Sequence, residues 1–131
     1  MEKNEVVAYW LDNAKDDIEP ARIMFGAGKY LYTGFMLQQC IEKALKGYYV
    51  HVKDEQHPFL HNLVRLAELA GLYSSMSDKQ QELLAELTPL YIEARYADDK
   101  KKINRVLTEE YCRNLIKETE AMYSWIAQLT T

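Results

Sequence analysis

The stretch L37-Q-Q-C-I-E-K-A-L-K-G-Y48 decides the fold. Leu37, Cys40, Ile41, Ala44, Leu45 and Tyr48 recur at alternating steps of three and one, which lays them on one broad arc of a helix. Gln39, Glu42, Lys43 and Lys46 fall on the opposite side. No other apolar arc in the chain is as wide, so the segment from about Tyr30 to Val52 reads as the central helix. Gln38 is unusual beside a buried stripe, because an amide there must find partners or lose free energy. It reads either as a core hydrogen-bonder or as a base-reading amide. Glu42 and Lys46 stand four residues apart in the favourable order for a helical ion pair, worth about 0.3–0.5 kcal/mol.

Outward from this helix the same spacing continues. Val7, Leu11, Ala14, Ile18, Ala21 and Phe25 form one stripe over about Glu5 to Ala27, with Pro20 expected to bend it and Gly26 and Gly28 to stop it. On the other side, Lys53 to His57 reads as a polar loop. Pro58 suits the first turn of a short helix over about Phe59–Ala70. Ser77 with Gln80 makes a capping box for a fourth helix reaching about Tyr96, bent at Pro89. Asp98 to Leu107 breaks the period. Thr108 opens a last helix in which Cys112, Leu115, Thr119, Met122, Ile126 and Leu129 keep the spacing. Nothing reads as a strand. The prediction is a single all-α domain over residues 1–131, an antiparallel bundle of about five helices, four long and one short, crossing at roughly 20°.

Composition bounds the function. The chain has 131 residues, 48% hydrophobic and 27% charged, which fits one folded domain and not a disordered one. With 5 Gly and 3 Pro there are few turns, which favours long helices. A net charge of −4 leaves room for a polyanion site only as a local patch. Cys40 and Cys112 are too few for a disulfide framework and lack metal-ligand spacing. No stretch reaches the eighteen or so apolar residues of a membrane helix, and MEKNEVVAYW has no secretory core. A cytoplasmic protein with reduced thiols and no cofactor is expected.

Arg95 is the first candidate site residue, one turn after Tyr91 and beside Tyr96. It reads as a snorkelling arginine that caps the last carbonyls of its helix, or as a guanidinium fork held by two tyrosines and aimed at a phosphate. It adjoins A97-D-D-K-K-K-I-N-R105. Arg95, Lys100, Lys101, Lys102 and Arg105 against Asp98 and Asp99 make this stretch locally +3. The run reads as a solvated connector or as a basic lip for phosphodiesters. His57 and His61 have a chelating interval, but Pro58 separates them and no third ligand is evident. His61 can equally bond a neighbouring helix. No phosphate-cradling glycine loop occurs. The 10 tyrosines are mostly core-edge residues, and an exposed pair could stack on a base.

Four pieces in series, W10-L-D-N-A14-K-D-D17, Q38-Q-C-I-E42-K-A-L-K46, H61-N-L63 and Y91-I-E-A-R95-Y96, give the chain a resemblance. It resembles the HEPN domains of prokaryotes, small helical bundles often encoded beside a minimal nucleotidyltransferase. The resemblance runs along nearly the whole chain and implies the bundle fold and a homodimer. Many members look like metal-independent ribonucleases, often toxins, that use an arginine followed four to six residues later by histidine. Arg95 occupies the matching place, but Y96-A-D-D-K-K-K102 follows without histidine, and none occurs after His61. The general acid/base of such cleavage is missing there.

The reading adopted is a non-catalytic nucleotide- or RNA-binding module, dimeric, acting with a separate minimal nucleotidyltransferase in a toxin–antitoxin pair. Arg95, Tyr96, Tyr91, Lys100, Lys101 and Lys102 would hold the phosphate, with Gln38, Glu42, Lys46 and His61 in support. The alternatives are a ribonuclease toxin with a degenerate Arg…His motif, in which His61 or Tyr96 replaces the lost histidine, and a purely structural dimerising protein.

Overall fold

Two helices laid end to end form the first wall of the bundle: α1 (Lys3–Asp16) and α2 (Ile18–Gly26). α3 (Tyr30–Lys53) runs back against both, followed by α4 (Leu63–Leu69), α5 (Asp78–Leu87), α6 (Ala97–Val106) and α7 (Glu109–Leu129). Short 3-10 turns occupy Tyr73–Ser75 and Thr88–Leu90. The computed structural model describes residues 2–91 and 97–131, the side chains of 97–100 excepted. Among the described residues there is no strand, as the sequence predicts.

The wide arc of α3 explains its place. It packs against α1, α2, α4, α5, α6 and α7, so it is covered on nearly every side. Leu37, Cys40, Ile41, Ala44 and Leu45 are fully buried among Ala14, Ala21, Leu63, Leu84, Leu87, Cys112 and Ile126. Gly47 lets α1 approach closely: a Cβ there would stand 3.1 Å from Trp10 Cβ. α3 stops at Asp54, whose φ of 50° is left-handed and whose N–H donates to the Val50 carbonyl at 2.9 Å.

Gly28 and Gly71, both at φ 73°, end α2 and α4 in the same way. In each, the residue after the glycine donates to a carbonyl five positions back, Lys29 to Met24 and Leu72 to Ala67. Glycine alone takes this conformation without cost. The capping box at Ser77 and Gln80 is present in full, and Thr108 caps α7 through the Tyr111 N–H.

Several expectations are corrected. The first helix breaks at Asp17 rather than bending at Pro20. Pro20 lies in the first turn of α2, where a missing N–H costs nothing. The third helix begins at Leu63, with Asn62 as its cap, so Pro58 and Phe59 belong to the non-helical segment before it. The fourth helix ends at Leu87, because Pro89 sits in the 3-10 turn and Tyr91 is already extended at φ −61°, ψ 126°. The basic stretch is helix α6, not a loop, with Arg105 complementing the dipole at its end. Leu129 is exposed. Glu42 and Lys46, expected on a polar face, are 4% and 7% exposed.

Candidate functional site

Glu42 stands at the centre of a polar network inside α3. Its Oε1 accepts from Gln38 Nε2 at 3.0 Å, one turn earlier, and lies 2.9 Å from His61 Nδ1. Its Oε2 accepts from Lys46 Nζ at 3.0 Å, one turn later. Gln38 Nε2 also donates to the His61 carbonyl at 3.0 Å, and Gln38 Oε1 accepts from Gln39 Nε2 at 2.8 Å. Gln38 is therefore a core hydrogen-bonder, engaged at both ends of its amide. Helical spacing sets Gln38, Glu42 and Lys46 in one row, and the segment before α4 brings His61 onto it.

The network holds a histidine in a defined orientation. A carboxylate only accepts, so the His61 ring donates to it through Nδ1. The imidazole also lies flat on the Tyr91 ring, with centroids 3.9 Å apart and planes at 13°. Tyr91 in turn meets Phe35 at 5.9 Å. The His61 side chain remains 48% exposed while Glu42 is sealed beneath it. On the other flank Lys46 Nζ lies 5.7 Å from the centroid of Trp10, whose ring stands perpendicular to His57 with centroids 4.7 Å apart, and the His57 and Phe59 centroids are 5.4 Å apart.

His57 and His61 do not converge. His57 Nδ1 is 3.0 Å from the Pro58 carbonyl and His61 is held by Glu42. Among the described residues no group of three or more His, Cys, Asp or Glu side chains is placed to hold a metal ion. Arg95 and Tyr96 lie outside the described residues, and of Lys100 only the backbone is described. Lys101 and Lys102 are exposed on α6. Lys102 borders an open groove of about 320 Å³ with Pro89, Leu90, Ile103 and Tyr111, and Leu90 immediately precedes Tyr91. The structure thus joins Gln38, Glu42, Lys46, His61 and Tyr91 in one site. Trp10, His57 and Phe59 complete its aromatic flank; sequence reasoning does not place them there, and the only signal is the density of rings in residues 57–61.

A second polar pair fixes the helix break: Lys43 Nζ lies 2.9 Å from Asp17 Oδ2. Burial raises the Asp17 carboxyl above its ordinary range, and Lys43 only partly offsets this. Arg22 and Glu120 pair across α2 and α7.

Residues 7–129 match the HEPN domain family. The chain belongs to that family. The HEPN domain superposes on the crystal structure of TT1696 from Thermus thermophilus with a TM-score of 0.75 at 21% identity, over 93% of this chain and 96% of that one. It superposes on ST0689, an archaeal HEPN homologue, with a TM-score of 0.69 at 21% identity, over 95% and 98%. At such identity the likeness concerns the fold. No curated protein matches the chain. Among the described residues no helix is long and apolar enough to cross a membrane.

Proposed function

We propose that this HEPN domain is a non-catalytic module that binds a nucleotide or RNA, works as a homodimer, and acts with a separate minimal nucleotidyltransferase, as in a toxin–antitoxin pair. The observation that carries the binding reading is the His61–Tyr91 ring pair, with His61 half open to solvent and anchored on buried Glu42. A flat ring pair suits a base, and exposed lysines suit its phosphates. Arg95 and Tyr96, four and five residues after Tyr91 in the sequence, and Lys100 and Lys101 complete the proposed set. The absence of any histidine after His61 supports a non-catalytic role. Exposed Ile23, Met24 and Tyr32, on either side of the α2–α3 turn, offer apolar surface for a second copy.

One observation favours a second reading. The 2.9 Å contact of Glu42 with His61 orients an imidazole as a general base would require, so a ribonuclease using His61 is the alternative. Titration of the purified protein with AMP and with a labelled single-stranded RNA at low salt, beside a cleavage assay on the same RNA, tests both. Binding without cleavage supports the module. Cleavage that His61→Ala abolishes supports the ribonuclease. Neither binding nor cleavage refutes both.

A further inference from the structure

We propose that the segment from Gln56 to Asn62 is a stacking ledge for the unpaired bases of a single nucleic-acid strand, with Phe59 as its outer platform and His61, flat on Tyr91, as its inner one. This rests on the binding reading above and deepens it from a nucleotide to a strand. Phe59 is 80% exposed, more than any other large hydrophobic residue among those described. Its position follows from the backbone: Leu60 turns in to pack against the core, so Phe59 and His61 on either side of it turn out.

The surroundings of Phe59 decide what would cover it. A protein-binding hot spot sits in a contiguous apolar patch. Phe59 touches His57, and the chain around it carries the polar side chains of Gln56, His61 and Asn62. An apolar face rimmed by polar groups matches a nucleobase, which is flat on its face and polar at its edge. Both rings are also held in advance. His57 meets Phe59 edge-on at 68°, and Glu42 and Tyr91 fix His61, so little side-chain freedom remains to be lost on binding. Exposed Lys101, Lys102 and Arg105 on α6 supply charge for a phosphate backbone.

The test measures binding of AMP, a fluorescein-labelled single-stranded RNA of about eight nucleotides, its duplex, and a DNA strand of the same sequence. The wild-type protein should bind the single strands more tightly than AMP or the duplex. Phe59→Ala should weaken both single strands roughly 5- to 150-fold and leave the dependence on salt unchanged. Phe59→Trp should restore strand binding. Strand binding that Phe59→Ala does not alter, or a Phe59→Ala protein whose own sedimentation changes, overturns the ledge and, in the second case, makes the ring a protein contact. A wild-type protein that binds neither AMP nor any strand instead refutes the wider reading.

Discussion

Glu42 and His61, nineteen positions apart in the chain, meet at 2.9 Å through Oε1 and Nδ1. The contact ties the middle of α3 to the segment that leads into α4. It gives the buried carboxylate a third N–H partner beside Gln38 and Lys46.

Lys46 is buried because Glu42 is, and each removes the desolvation cost of the other. Lys46→Met or Glu42→Leu alone should cost about 3–5 kcal/mol, since each strands a charge. The double variant should cost less than the sum, because no charge is left stranded, although His61 Nδ1 still loses its acceptor. Urea unfolding of the four proteins measures the coupling. Additive losses would show that the two charges do not depend on each other.

The lysines of α6 differ from Lys46 in being exposed, and their effect should be electrostatic. If they meet phosphates, Lys101→Ala and Lys102→Ala should each lower the slope of log Kd against log salt by about 1. Stability should change by less than about 0.5 kcal/mol. An unchanged slope would remove α6 from the binding surface.

At Gly47 the neighbour of an added methyl is Trp10 Cβ, an atom close to the α1 backbone that cannot turn aside. Gly47→Ala should therefore lower stability by about 1 kcal/mol despite alanine's better helix propensity. Gly26→Ala, which meets nothing within 4 Å, should raise it by about 0.4–1 kcal/mol. Thermal melts of the pair decide the sign; equal behaviour would mean that α1 moves freely off α3.

Cys40 and Cys112 are fully buried and unpaired. Burial pushes the Cys112 thiol up to about 11 and raises Cys40 as well. A thiol reagent at pH 8 should leave both unmodified in the folded protein and label both in denaturing urea. A folded pKa above the unfolded one adds stability that is complete below the unfolded value of 9.0 and is lost as pH rises through about 11. Between those values the loss of stability should be shallower in Cys112→Ala than in the wild type. Rapid labelling of the folded protein would contradict the burial.

The sequence makes the bundle legible because it is written in local spacing: the α3 arc, the Ser77–Gln80 box and the α7 stripe all use neighbours three or four apart. α6 is harder to read. Ile103, half-buried, and Val106, exposed, are its two large apolar residues, so the charge of its ten residues outweighs the stripe. Helical projection puts Glu42 and Lys46 on a solvent face because it shows one partner at a time, whereas α3 has neighbours on nearly every side. The Glu42–His61 contact has no local signature at all. It exists only once the segment before α4 folds back, which is why the sequence offers His61 as a candidate without its partner's role.

Tyr123 donates from its hydroxyl to the Leu11 carbonyl, 112 positions away, and α7 covers a flank of α3. During synthesis, then, the central helix leaves the ribosome with one side bare and stays so until residues 109–129 have been made. A chaperone that recognises apolar helix faces would meet its best target in that interval, and the finished domain would no longer offer it.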